Sequence, residues 1–235
     1  MITQFSRTEL LLGCEATEKL KKARVAVFGI GGVGGYIVEA LARAGIGELD
    51  LVDADEVSLS NINRQIVALH STIGMPKVEV AAARIKDINP DIKININKIF
   101  YLPENKQQFE FKNYNYIADA VDTVAAKISL VEEAERLQVP IISAMGAGNK
   151  LDASSFEVSD ISKTSVCPLA KVMRQELRKR GINHLKVVYS RENSLIPHDI
   201  DEKSTKRKVP GSVPFVPPVV GMLMAGEIIK DLLKV

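Results

Sequence analysis

The stretch Arg24-Val25-Ala26-Val27-Phe28-Gly29-Ile30-Gly31-Gly32-Val33-Gly34 decides the fold. Residues 24–28 read as a short apolar strand, and they run straight into glycines spaced G-x-G-x-x-G. In such a turn Gly29 makes the tight bend and Gly31 lets backbone N–H groups approach phosphate oxygens. Gly34 permits close packing of helix on strand. Val33, Tyr36, Ile37, Ala40, Leu41 and Ala44 then recur at intervals of three and four, which predicts an amphipathic helix. Gly45 and Gly47 stop it. Leu49–Asp53 is a second strand, so the unit opens a parallel sheet. The helix N-terminus adds partial positive charge and free N–H donors. Asp53 closes the second strand, near the spacing at which a carboxylate accepts from a ribose hydroxyl. The turn alone does not separate a dinucleotide from ATP.

Outward from this unit the alternation continues. Pro76–Ile88 reads as a helix, Lys93–Ile99 as a strand, Tyr116–Val121 as a strand, Thr123–Gln138 as a helix and Pro140–Ala144 as a strand. Before the unit, Leu10–Lys22 is a helical arm broken at Gly13. After Gly146 come strands at Ser155–Asp160 and Leu185–Ser190 around a helix at Leu169–Arg180, and a last helix from about Val219 to Leu233. The expected architecture is α/β: a Rossmann-like, mostly parallel sheet with helices on both faces, extended by antiparallel strands and a C-terminal helix. Residues 1–235 read as one domain, with an N-terminal arm and nucleotide-binding core at 1–150. Residues 151–235 form a substrate-facing region with a flexible polar loop at about 192–212.

Composition narrows the class. The chain has 235 residues, a net charge of +2 and two cysteines, Cys14 and Cys167. Two thiols build neither a four-cysteine zinc site nor a disulfide scaffold, and they fit a reducing cytoplasm. No secretory signal heads the chain. The one long apolar stretch, Val209–Ile229, holds four prolines and Glu227, so no membrane association is expected. His184 and His198 lack metal-ligand spacing and read as surface residues.

Beyond Asp53 stand Ala54, Asp55, Glu56 and Val57, then Ser60-Asn61-Ile62-Asn63-Arg64-Gln65. A nicotinamide enzyme has no need of this stretch. Adenylate transfer does: it takes cations on the phosphates and amides to hold them. Arg64 and Lys77 supply the cations, and Asn61 and Gln65 are polar clamps. Asp119-Ala120-Val121-Asp122-Thr123 ends a strand, where open parallel sheets bind ligands, with Lys127 just beyond. A carboxylate there either caps the helix at Thr123 or ligates Mg2+ beside phosphates.

Together the Gly29–Gly34 turn, Asp53-Ala54-Asp55, Ser60–Gln65, Lys77 and Asp119–Thr123 resemble the adenylating core of the ubiquitin-activating-like (ThiF/MoeB/HesA) superfamily, over roughly residues 5–150. The resemblance implies ATP with Mg2+, transfer of AMP to a carboxylate, pyrophosphate release and a homodimer. It implies an ATP-binding set of Gly29, Gly31, Gly32, Gly34, Asp53, Asp55, Asn61, Arg64, Gln65, Lys77, Asp122 and Thr123. Within it Asp53 resembles the ribose ligand, Asn61, Arg64 and Lys77 the phosphate contacts, and Asp122 the acid associated with Mg2+. Arg7 resembles an N-terminal arginine that reaches a neighbouring subunit's ATP, so Arg7, Arg64, Lys77 and Asp122 are the catalytic candidates.

Branches that activate small sulfur-carrier proteins usually carry two C-x-x-C pairs for zinc. This chain has no C-x-x-C, so no zinc is expected. Phe5–Gly13, Met145–Asp152, Val158–Thr164 with Cys167–Ala170, and Gly211–Pro218 resemble instead the branch that dehydrates threonylcarbamoyladenosine in tRNA to its cyclic form. That branch implies tRNA as substrate, a monovalent cation (K+ or Na+) whose site no motif marks, and room for a cysteine-desulfurase-system partner. Some of its members carry a cysteine in the late loop; Lys208–Val213 has none, which argues against an obligatory covalent thioester. Lys171, Arg174 and Arg178 share a helix face, and Lys203, Lys206, Arg207 and Lys208 lie in the polar loop. Both read as phosphate-backbone contacts, against the alternative of a solvated charged face. Two other activities stay open on the same core: activation of a ubiquitin-like carrier's terminal glycine and, on the glycine turn alone, NAD-dependent oxidoreduction.

Overall fold

A computed structural model of the chain describes residues 2–198 and 210–235. Lys203, Lys206, Arg207 and Lys208 lie outside the described residues. The strands are β1 (Arg24–Phe28), β2 (Glu48–Val52), β3 (Lys93–Asn97), β4 (Tyr116–Asp119), β5 (Ile141–Ala144), β6 (Phe156–Asp160) and β7 (Lys186–Ser190). They form one sheet in the order β3-β2-β1-β4-β5-β7-β6. Every neighbouring pair is parallel except β6–β7. Of the two late strands expected to be antiparallel, β7 in fact joins β5 in parallel, and β6 alone reverses. No α-helix joins β5 to β6, so β6 comes back opposed to β5, and β7 then enters between the two, parallel to β5.

Strand order changes direction between β1 and β4, and both strands end at the same side of the sheet. That is the switch point at which doubly wound sheets open a crevice. The Gly29 N–H donates to the Val52 carbonyl and the Ala120 N–H to the Phe28 carbonyl, so the loops leaving β1 and β4 start together.

Helices α1 (Ser6–Leu12) and α2 (Cys14–Lys21) form the N-terminal arm, broken at Gly13, whose φ is 83°. The helix α3 (Gly34–Ala44) buries Ile37, Val38, Leu41 and Ala42. It ends at Gly45 in the left-handed region, where the Gly45 and Ile46 amides satisfy the last carbonyls. With α4 (Lys77–Ile88) and α7 (Pro217–Leu233) it covers one face of the sheet. Two prolines open α7, where a missing N–H costs nothing. Gly221 lets α7 cross α3 closely, since a Cβ there would lie 2.5 Å from the Val33 carbonyl oxygen.

The opposite face is covered by α5 (Val124–Leu137) and an aromatic cluster of Phe28, Tyr101, Phe109 and Phe111. Phe28 and Tyr101 meet edge to face at 5.0 Å between centroids. Such a pair adds about 0.5–1.5 kcal/mol beyond its buried area. The helix α6 (Pro168–Arg178) packs Ala170, Met173 and Leu177 beside α5, in the same cluster as Cys167. Helices thus lie on both faces, as the periodicity predicts. Among the described residues no helix is long and apolar enough to cross a membrane.

Candidate active site

A cleft of about 610 Å3 opens at the switch point. Its floor is the glycine turn. Gly29 has φ 89°, and a Cβ on it would stand 2.7 Å from the Ala120 carbonyl oxygen. A Cβ on Gly34 would fall inside the Gly29 carbonyl oxygen, so this glycine closes the turn on itself rather than only seating helix on strand. At Gly31 the space is open, with only Gln65 Nε2 nearby at 3.8 Å. A phosphate can therefore come up to the bare backbone there.

Asp53 leaves the end of β2 and faces the same turn. Its Oδ2 accepts from the Ile30 N–H at 2.6 Å and its Oδ1 from the Asp55 N–H at 2.8 Å. The carboxylate is thereby fixed in direction, with lone pairs left for a ribose hydroxyl. Lys77, at the first turn of α4, is buried and pairs with Asp55 at 2.7 Å. Asp55, on the chain leaving β2, holds the Lys77 ammonium at the edge of the cleft.

The Ser60–Gln65 segment rests on a short 3-10 turn at Leu59–Asn61. Asn61 Oδ1 accepts from the Ser58 N–H at 3.1 Å, so half of this clamp is spent on the turn. Arg64 Nη1 donates to the Ser60 carbonyl at 2.9 Å and to Asn63 Oδ1 at 2.8 Å. Among the described residues it has no carboxylate partner, and burial lowers its pKa without discharging it. Gln65 is buried, and its Oε1 lacks a partner. A cation with no carboxylate partner among the described residues and the Gln65 Nε2 donor facing bare backbone at Gly31 fit a polyphosphate.

Across the cleft stand Asp122 and Thr123 at the end of β4. The Thr123 hydroxyl donates to Asp122 Oδ1 at 3.3 Å instead of capping α5. Asp122 is exposed and, among the described residues, pairs with no cation. Asp119 is the buried acid of the two. It accepts from Lys127 Nζ at 3.0 Å and from the Ser143 hydroxyl, and its Oδ1 accepts from the Val121 N–H. Lys127 also donates to Ser143 Oγ at 3.3 Å and to the Ala144 carbonyl at 2.7 Å, so all three of its protons are used. This network ties the ends of β4 and β5 together beneath Asp122. Tyr101 lines a side wall; burial pushes its hydroxyl up to about 12, so it stays protonated.

The remaining wall is Ala147 and Gly148 with Pro210, Gly211, Ser212 and Pro217. The described ends of the loop expected to be flexible at 192–212 are held in place. Glu192 accepts from the Leu151 and Asp152 amides, and Gly211 is bonded to Asn149. Residues of the polar segments satisfy each other's backbone there, a pairing that no periodicity announces.

Other expected site residues lie apart. Arg7 is exposed on α1 and does not line this chain's own cleft. On α6, Lys171 and Arg178 are exposed. Arg174 is turned inward: its Nη1 donates to Thr164 Oγ1 at 2.6 Å and to the Thr164 carbonyl at 3.0 Å. One end of that guanidinium is thus tied to the Thr164 loop. Asn63, Lys127 and Asn149 are the site residues that sequence reasoning left unassigned. Asn63 lies inside the quoted motif, whereas only the fold brings the other two to their partners.

A doubly wound sheet, a glycine turn at its switch point and facing cations define a nucleotide-binding α/β protein. The chain belongs to the ThiF family, whose sequence pattern matches residues 5–235. It is 46% identical over its whole length to the tRNA threonylcarbamoyladenosine dehydratase of Bacillus subtilis (strain 168), covering 96% of that protein. It is 39% identical to the enzyme of that name from Escherichia coli (strain K12), over 74% of this chain and 65% of that one. The crystal structure of the E. coli tRNA N6-threonylcarbamoyladenosine dehydratase TcdA in complex with ATP superimposes with a TM-score of 0.89 at 33% identity. That match covers 98% of this chain and 94% of the other.

Proposed function

We propose that this protein is an ATP-dependent tRNA threonylcarbamoyladenosine dehydratase acting in the cytoplasm. The observation that carries the reading is full-length similarity to a dehydratase, joined to a cleft whose cations and bare glycine backbone suit ATP.

A carboxylate is a poor electrophile, because its leaving group would be oxide. Its oxygen attacks the α-phosphorus of ATP, pyrophosphate leaves, and the resulting acyl-adenylate carries AMP as leaving group. A nucleophile in the same modified side chain then closes the ring on the acyl carbon and AMP departs. The net change is loss of water coupled to ATP cleavage. Ring closure is intramolecular, and such reactions gain on the order of 7–11 kcal/mol from orientation. No protein nucleophile is required.

Gly31 and Gly32 present backbone to the phosphates, and Asp53 orients the ribose. Arg64 and Lys77 offset charge that grows on the departing pyrophosphate, with Asn61 and Gln65 as amide contacts. Asp122, the unpaired acid facing this set, would hold Mg2+, which binds through one or two carboxylates plus phosphates. When bound, Mg2+ neutralises phosphate charge. Lys171 and Arg178, with the basic residues at 203–208, serve the tRNA backbone. Arg7, exposed on the arm, completes the ATP site of a second subunit in a homodimer.

Pyrophosphate release tests the reading. It is expected to depend on tRNA bearing threonylcarbamoyladenosine. Dependence on a carrier protein ending in Gly-Gly would overturn it in favour of carrier activation.

A further inference from the structure

Two asparagines outside the assigned contacts join the nucleotide side of the cleft to its far wall. Asn63 Oδ1 accepts from Arg64 Nη1 at 2.8 Å, while its Nδ2 donates to the Ser212 carbonyl at 2.9 Å. The orientation of the amide is unambiguous: a flip would set its NH2 against a guanidinium and its oxygen against a carbonyl. Asn149 fastens the next residue of the wall in both directions. Its N–H donates to the Gly211 carbonyl at 2.8 Å and its Oδ1 accepts from the Gly211 N–H at 2.6 Å. Its own carbonyl accepts from the Leu195 N–H at 2.8 Å.

Asn149 has φ 58°, a left-handed conformation that asparagine tolerates better than most side chains. Gly148 beside it has no room for a side chain, since a Cβ would lie 2.8 Å from Pro210 Cβ. Pro217, where the strap enters α7, comes so near Gly32 that a Cβ there would be 3.1 Å away. Pro210, Gly211, Ser212 and Pro217 thus line the cleft as a strap beside the phosphate-facing turn.

We infer that Asn63 and Asn149 are positioning residues that make the strap at 210–213 and the Arg64 guanidinium one mechanical unit, so that the wall guiding the incoming tRNA carboxylate is set in register with the phosphate cation. This rests on the reading of the cleft as an adenylating site. The two residues act differently. Asn149 holds only the strap, so its side chain governs the acceptor. Asn63 holds both, so its loss reaches ATP as well.

The test compares N149G, N149D and N63A. Glycine at 149 keeps the left-handed backbone and both main-chain bonds and removes the side-chain amide, with it the Oδ1 bond to Gly211. One lost hydrogen bond corresponds to about a tenfold effect. N149G is expected to raise KM for the modified tRNA about tenfold while ATP affinity, read by titration calorimetry, stays unchanged. N149D keeps the acceptor oxygen and is expected to restore the wild-type KM. N63A is expected to weaken ATP binding and tRNA use together. Hydrogen exchange at 210–216 is expected to quicken in N149G and N63A, a readout that needs no turnover. Quickened exchange with no tRNA conversion even by the wild type would leave the strap standing and remove the functional reading. Unchanged exchange in both variants would overturn the inference. So would equal losses of ATP affinity and tRNA use in N149G that follow its melting temperature.

Discussion

Arg64 keeps its positive charge in the cleft with no carboxylate partner among the described residues. Replacing it with alanine removes a stabilising cation and is expected to slow adenylation by about 10²–10³-fold, as loss of one electrostatic donor typically does. Single-turnover AMP transfer checks this; an unchanged rate would reject the assignment. Lys127 makes the opposite case, a buried cation that is fully spent. K127M would strand the Asp119 carboxylate, and breaking a buried pair costs about 3–5 kcal/mol. Urea denaturation is expected to show a loss of that size. This arginine and this lysine also mark what sequence reading reached. Arg64 and the glycines were legible because their chemistry depends on neighbours a few residues away. The partners of Lys127 come from β4 and β5, and only folding supplies them. The bonds of Arg174 to Thr164 were not legible for the same reason, since Thr164 lies on a separate loop that folds back under α6.

At the scale of elements, α3 and α4 are braced by one acid. Glu39 on α3 accepts from Arg84 on α4 at 2.7 Å and from Arg43 at 2.9 Å. Burial alone would raise its pKa, but the hydrogen bonds from Arg84 and Arg43 outweigh that, and the net shift is downward. A carboxyl whose folded pKa is depressed contributes stability above its unfolded value, about 4.3, and loses it as pH falls through the lower folded value. Wild type is therefore expected to melt higher than E39Q at pH 7, with the gap closing as the solution is taken below about pH 4. A gap that persists in acid would show that the brace is not ionic. The existence and type of these helices were legible from their periodicity. The direction of β7 was not, because it depends on which strand β7 pairs with in the folded sheet. The pinned ends of the 192–212 segment escaped as well, since Asn149, Leu151 and Asp152 meet them from a distance.

The whole molecule places a nucleotide cleft on one end of a sheet, an N-terminal arm with Leu10 and Leu11 outward, and exposed cations on α6. Leu10 and Leu11 are 88% and 84% exposed on α1, whereas Phe5, Ala16 and Leu20 anchor the arm to the chain's own core. If Arg7 serves a second subunit, then R7A and R64A damage different halves of one shared site. Mixing the two inactive variants is expected to restore activity that neither has alone; no recovery would mean that Arg7 acts in its own subunit or not at all. Net charge of +2 conceals this organisation, because it averages an acidic and neutral core with basic segments after residue 170. The central claim is dehydration of a tRNA nucleoside driven by ATP, and the nucleoside itself reports on it. Incubation with ATP, Mg2+ and tRNA bearing threonylcarbamoyladenosine, followed by nucleoside mass analysis, is predicted to show loss of one water from that nucleoside, with AMP and pyrophosphate formed. An unaltered nucleoside mass in the presence of intact, ATP-binding protein would contradict it.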